Sequence, residues 1–204
     1  MIPPVSGVIL AGGRSRRLGS DKRDLRFGSA RTQLDVTVER LLTVVDDVVV
    51  AGDVAVLPSD RVRVVQDVAT NAGPIGGLIA GLDSVVHDRS LVIACDLPFL
   101  DVALLRRMMA VPPAYELLVP RRANGTLEML HAVYRRSVRD IARRSLAKGC
   151  LRLSDLARAI EADGGVVQSI DEAWVEQSDP NLQSFVNINT PADLQFVRAK
   201  LALP

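Results

Sequence analysis

The chain has 204 residues, 25 of them basic and 24 acidic, for a formal net charge of +1; hydrophobic residues make up 48%. That near-neutral balance excludes a generic nucleic-acid or anionic-membrane binder, and the apolar fraction excludes a disordered chain. Aromatic residues at 3% offer no stacking platform for single-stranded nucleic acid, and two distant cysteines, Cys95 and Cys150, have neither zinc-site nor disulfide-framework spacing.

The opening MIPPVSGVILAGG has no basic region before its apolar run, and glycines interrupt that run. It is expected to be neither a signal peptide nor a membrane span, and a reducing, cytoplasmic setting is expected. Val5–Ala11 is expected to form the first strand. A helix over Gln33–Val44 follows, then strands over Asp47–Ala51 and Val62–Gln66, a helix over Gly76–Val86 and a strand over Ser90–Ala94. Next come a helix over Val102–Ala110, strands over Glu116–Pro120 and Leu130–Tyr134, and helices over Ser137–Ala147 and Leu151–Ala162. Strands over Val166–Ile170 and Phe185–Ile188 and a helix over Pro191–Leu201 complete the chain. The last helix has a clear start: Thr190 as N-cap, Pro191 at the first helical position and Asp193 in the first turn.

The apolar runs are continuous rather than alternating, which suits strands buried on both faces of a parallel or mixed sheet. Strands alternating with helices imply an α/β fold, doubly wound, with a mostly parallel sheet sandwiched by helices. No repeat, low-complexity tract or linker divides the chain, so one domain over residues 1–204 is expected. In such sheets ligands bind beyond the carboxyl ends of the strands. Four features fall there: the loop after Val5–Leu10, Asp67–Gly77, Asp96, and the pair Asn187 and Asn189. They are expected to converge.

The first of these loops carries the strongest chemistry. Gly12 and Gly13 follow a strand directly, and glycine lets backbone N–H groups approach an anion closely. Arg14, Arg16, Arg17 and Lys22 then set four cations within nine residues, against Asp21 alone. The pattern is neither a Walker A loop nor the G-x-G-x-x-G fingerprint. On its own it reads either as a polyphosphate grip or as a solvated basic loop. Asp96, at a strand end before Leu97-Pro98-Phe99, reads either as a Mg²⁺ ligand or as a turn residue. Asp67 reads as a turn residue or a nucleotide contact. Asn187 and Asn189, two apart on an expected strand, face the same side and either reach the metal and a phosphate or satisfy local backbone.

LAGGRSRRLGSDK, residues 10–22, resembles the LAGG-x-x-x-R-M-G-x-D-K signature of the molybdenum cofactor guanylyltransferases, within the MobA-like nucleotidyltransferase superfamily. Leu18 stands where methionine is usual, a volume-conserving exchange. CDLPFL resembles the family's CDxPFL, NAGPIGGLIAGL its GPLAGLLAGL, EMLHAVY its EPLHAVY and FVNINTPADL its FxNINTPEDL. The resemblance implies a Rossmann-like fold of the nucleotide-diphospho-sugar transferase type. It also implies transfer of GMP from GTP to molybdopterin, and transient contact with other molybdenum cofactor biosynthesis proteins. It carries over Leu10, Ala11, Gly12 and Gly13 as the nucleotide cradle and Lys22 as the residue on the transferring phosphate, with Arg17 assisting. It likewise implies that Asp67 contacts the nucleotide, that Asp96 binds Mg²⁺ and phosphates, and that Asn187 and Asn189 complete the metal site. Glu128 and His131 are implied to face the acceptor pocket, with Met129 in place of the usual proline. Gly52-Asp53 departs from an asparagine often found there. Gly76, Gly77, Ala80 and Gly81 read as packing devices. The nearest alternative keeps the mechanism and changes the substrates: cytidylyl transfer to molybdopterin, or transfer to a sugar phosphate.

Overall fold

A computed structural model describes residues 3–12, 25–26, 31–54, 59–68 and 72–201. Seven strands form one sheet in the order β3-β2-β1-β4-β6-β5-β7. They are β1 (Val5–Leu10), β2 (Val48–Ala51), β3 (Val62–Val65), β4 (Arg89–Ala94), β5 (Leu117–Pro120), β6 (His131–Arg135) and β7 (Val167–Ile170). Every pairing is parallel except those of β6, which runs antiparallel to β4 and β5. The helices are α1 (Gln33–Leu42), α2 (Pro74–Ser84), α3 (Val102–Ala110), α4 (Val138–Ala147), α5 (Leu153–Ala162), α6 (Glu172–Glu176) and α7 (Pro191–Leu201). None of the described helices is long and apolar enough to cross a membrane.

The doubly wound arrangement follows from what the strands carry. Successive side chains of a strand point to opposite faces. Ile9, Val48, Val50, Leu91 and Ile93 therefore meet Leu34, Val38 and Leu41 of α1 and Leu104, Leu105 and Met108 of α3 on one side. Val8, Leu10, Val49, Ala51 and Val92 meet Ile75, Leu78, Ile79 and Leu82 of α2 on the other, together with Ile141, Leu156 and Ile160 of α4 and α5. Both faces need apolar side chains, which is why the runs are unbroken. The small residues of α2 act as expected: a Cβ on Gly81 would collide with Val8 Cγ1, and one on Gly77 would sit 3.4 Å from Leu10 Cδ2. The helix thus lies directly on β1.

Two expectations are corrected. Phe185–Ile188 is not a strand. Gln183–Phe185 forms a 3₁₀ turn and the residues after it are irregular. Phe185 and Ile188 are buried without lying in the sheet. They belong to an irregular segment held by the bonds described below. In addition, α6 is a short helix that no periodicity announced. Asp171 caps it, accepting from Trp174 N at 2.8 Å. The start of α7 is as expected. Thr190 Oγ1 accepts from Asp193 N at 3.2 Å, and Asp193 Oδ2 accepts from Thr190 N at 2.8 Å, a reciprocal cap.

Candidate active site

The register sets one edge of the sheet as the working edge. Leu10 pairs with Ala51 and Ala94, and Ala51 pairs with Val65, so β1 to β4 end level. Because β6 is antiparallel, its first residue, His131, pairs with Ile93 at that same edge. The chain leaves β1 for β2 on one side, and β4 lies on the other. The gap between β1 and β4 is thus the switch point where open α/β sheets bind ligands.

On the β1 side, Ala11 N donates to Ala51 O at 2.8 Å, Gly52 N donates to Val65 O at 2.8 Å, and Cys95 N donates to Leu10 O at 3.1 Å. Leu10 and Ala11 are buried and their backbone is engaged by neighbouring strands, whereas Gly12 is exposed. Leu10 and Ala11 therefore anchor the loop, and Gly12 is its first residue open to a ligand. Gly13, Arg14, Arg16, Arg17 and Lys22 lie outside the described residues.

Asp67, just beyond β3, sits between two glycines. A Cβ on Gly12 would lie 3.1 Å from its Oδ2, and a Cβ on Gly77 would lie 3.1 Å from its Oδ1. Oδ1 is buried and has no hydrogen-bond partner among the described residues. Burial raises the carboxyl above its ordinary value. An acceptor oxygen without a donor beside an exposed glycine backbone is a site awaiting an N–H or O–H group.

Asp96 follows β4 directly and is half-buried. Its backbone oxygen accepts from Ile188 N at 3.2 Å. Two supports fix this turn. The buried Gln33 of α1 donates through Nε2 to Leu97 O at 3.1 Å, and Arg40 Nη1 donates to Pro98 O at 2.8 Å. The asparagine segment is fixed too. Ser184 N donates to Asp179 Oδ2 at 2.7 Å, and Asp101 N donates to Ser184 Oγ at 3.1 Å. Asn187 and Asn189 are therefore delivered beside Asp96 by an anchored loop rather than by a strand.

Asp96, Asn187 and Asn189 together line a cavity of about 370 Å³. Its other walls come from the β5–β6 connection (Leu127, Glu128, Met129, Leu130), from His131, and from Pro74, Leu153 and Phe185. Asp96 and the asparagine pair thus share one cavity with Glu128 and His131, and Asp67 separately meets Gly12, while the rest of the glycine loop lies outside the described residues. Among the described residues no cluster of three or more His, Cys, Asp or Glu exists. One carboxylate with two amide carbonyls is instead an all-oxygen set, which fits Mg²⁺. That ion uses one or two protein carboxylates and takes its remaining ligands from phosphate and water.

His131 is 2% exposed, and neither ring nitrogen has a partner. Its ring meets Phe185 edge-on at 5.1 Å. Burial lowers its pKa to about 4, against the opposing pull of Asp179 and of the Ser184 backbone, so the ring is neutral near pH 7. Glu128 is also raised by burial, opposed by Arg122.

Gly52, marked in the sequence only by its departure from a usual asparagine, has a structural role that the sequence did not announce. Gly52 has φ +149, and a Cβ there would lie 2.8 Å from the carbonyl carbon of Ala11 and 3.1 Å from Gly12 N. Only glycine lets the end of β2 press against the backbone of the loop. The available signal was a glycine immediately after a four-residue apolar strand. By itself that spells no more than a turn.

Comparison with known proteins agrees with this geometry. The model of the MobA-like NTP transferase domain matches residues 7–168. A Chloroflexus aggregans protein named "Probable molybdenum cofactor guanylyltransferase" is 37% identical over 203 residues, covering 97% of this chain and 95% of its own. The molybdenum cofactor guanylyltransferase of Desulfosudis oleivorans is 32% identical, covering 97% and 96%. The crystal structure of molybdopterin-guanine dinucleotide biosynthesis protein A from Archaeoglobus fulgidus superposes with a TM-score of 0.78 at 21% identity, covering 96% and 98%. The last of these shows the shared fold.

Proposed function

The chain belongs to the MobA-like NTP transferase family, and from that membership we propose that it transfers GMP from GTP to the phosphate of molybdopterin, in its free or molybdenum-loaded form, with release of pyrophosphate. The observation that carries this reading is the position of Asp96. It stands between the glycine cradle at the ends of β1 to β3 and the cavity beside β6, linked to the first through Cys95 N and Leu10 O. A donor nucleotide on one side and an acceptor on the other would meet there.

The acceptor is a phosphate monoester with a second pKa near 6, so it is ionised at neutral pH. One of its oxygens attacks the α-phosphorus of GTP, and the bond to the β-phosphate oxygen breaks. No general base is required, which accords with the neutral, buried His131 and the two histidines of the whole chain. The difficulty is bringing two polyanions together, so positioning and charge stabilisation dominate. Gly12 and Gly13 present backbone N–H groups to the polyphosphate. Leu10 and Ala11 hold the strand end beneath them. Asp67 accepts from the nucleoside. Lys22, assisted by Arg17, neutralises charge growing on the transferring phosphate. Asp96, Asn187 and Asn189 would hold Mg²⁺, which would supply charge neutralisation for the phosphates.

The experiment is product formation. Chain, GTP, molybdopterin and Mg²⁺ should yield the guanine dinucleotide and pyrophosphate in equal amounts, and a chelator should stop it until Mg²⁺ is restored. Lys22→Ala should lower kcat by roughly a hundredfold or more, the scale for one transition-state donor. Its KM for GTP should stay nearly unchanged. A defect confined to KM would instead mean that Lys22 only grips ground-state nucleotide.

A further inference from the structure

The cavity beside Asp96 has one wall feature that the transfer chemistry does not use. Glu128 lines it with a carboxylate, although the reaction needs no base. The backbone of Glu128 is pinned at both ends: its N–H donates to Pro120 O at 2.9 Å, and its carbonyl accepts from His131 N at 2.9 Å. Its side chain is held from one side only. Arg122 Nη1 reaches Oε1 at 3.3 Å, while Arg122 Nε gives its shorter bond, 2.5 Å, to Glu172 Oε1. The same guanidinium lies 5.2 Å from the centre of the Phe185 ring, which also lines the cavity. The carboxylate is therefore oriented, but only one of its oxygens is engaged by Arg122.

What surrounds Glu128 points to a flat ring with apolar faces and polar edges. Leu127, Met129, Leu130, Leu153 and Phe185 supply apolar wall, and the volume of about 370 Å³ suits a fused bicyclic ring. His131 adds a second, independent indication. It lines the same cavity at 2% exposure with both nitrogens unpartnered. A buried polar ring without a partner costs stability unless a ligand supplies one.

We infer that Glu128 is the specificity-determining residue for the acceptor, accepting the paired N–H groups of a 2-amino-4-oxopyrimidine edge, one on each carboxylate oxygen. That edge occurs in a pterin and in guanine alike. The position of Glu128, in a cavity that Gly12, Gly52 and Asp67 do not line, assigns the pterin of the acceptor rather than the base of GTP. The inference rests on the proposed reaction for the identity of the acceptor, and it goes further by naming which end of it enters the cavity.

The test uses two fluorescent probes on the full chain, pterin-6-carboxylate and lumazine-6-carboxylate. They differ at position 2, where lumazine has a carbonyl instead of the amino group. Wild type should bind the pterin at least about tenfold more tightly, the scale of a lost hydrogen bond to a charged group plus the repulsion that replaces it. Glu128→Gln presents one acceptor and one donor, which matches the lumazine edge, so it should abolish or reverse that preference. A merely structural role for Glu128 would weaken both probes together. Equal binding of both probes to wild type, binding of neither, or a preference that survives in Glu128→Gln would overturn the inference. So would a raised KM for GTP in Glu128→Gln with pterin binding unaltered, because it would place guanine in the cavity. Failure of the proposed reaction shows separately, as absent dinucleotide formation by wild type, whatever the probe ratio.

Discussion

Asp96→Ala lowers turnover by at least about a thousandfold, a loss of about 4 kcal/mol in transition-state stabilisation, while leaving the fold in place. Both halves of this expectation come from the same geometry. The side chain of Asp96 lines the cavity together with Asn187 and Asn189, an oxygen-rich wall. The backbone around it is secured independently, by Cys95 N on Leu10 O, Ile188 N on Asp96 O, and the bonds from Gln33 and Arg40 to Leu97 O and Pro98 O. Removing the carboxylate takes away none of those bonds. The variant should therefore unfold in urea with the same slope as wild type and close to the same midpoint. Turnover at wild-type rates would remove Asp96 from the mechanism. A collapsed midpoint would mean that the carboxylate holds the turn rather than the metal.

Gly52→Ala should have the opposite profile, damaging structure and nucleotide binding together. The backbone at φ +149 disfavours any side chain, and the added Cβ would press on Ala11 backbone at 2.8 Å. A strained backbone conformation costs about 1–3 kcal/mol, and overpacking costs about as much again. The sum is on the order of 2–6 kcal/mol. Whatever relief occurs must move either the end of β2 or the start of the glycine loop, because both contacting atoms are main chain. The expected result is a lower unfolding midpoint and a raised KM for GTP, since Gly12 N is the next atom the new methyl meets, at 3.1 Å. Unchanged stability together with unchanged KM would show that β2 does not support the loop.

The contrast between these two residues explains how much of the site was legible in advance. Asp96 announces itself locally: an acid at the end of an apolar run, followed by a proline. Asp67, the Gly12 loop and the asparagine pair are local signals of the same kind, and the rule that ligands gather at strand ends was enough to expect them together. Gly52 matters only because β2 lies beside β1, a non-local fact that no short window of sequence contains. The cavity-facing carboxylate of Glu128 depends in the same way on β6 running antiparallel. That orientation lies in how β6 pairs with β4 and β5, and the apolar content of either strand does not reveal it.

The fold divides along the same line. Helix α3 has an aspartate cap, Asp101 accepting from Leu104 N at 2.6 Å, and α7 has its Thr190–Asp193 pair. Helix α7 begins where that pair predicts, and α3 spans the expected Val102–Ala110. Phe185–Ile188 failed because burial alone was visible. Its apolar residues are inside, but its backbone is held by Asp96 O and by the Ser184–Asp179 and Ser184–Asp101 bonds instead of by a neighbouring strand. Helix α6 has five residues, too few for a helical period to show.

The central claim is that this site joins a guanine nucleotide to molybdopterin. The most direct measurement is pyrophosphate release in Mg²⁺ with molybdopterin present and GTP, CTP, ATP or UTP supplied one at a time. Release with GTP, dependent on molybdopterin and at least about tenfold above the other three, is the predicted result. Release with CTP alone, or release that requires a sugar phosphate in place of molybdopterin, would contradict it.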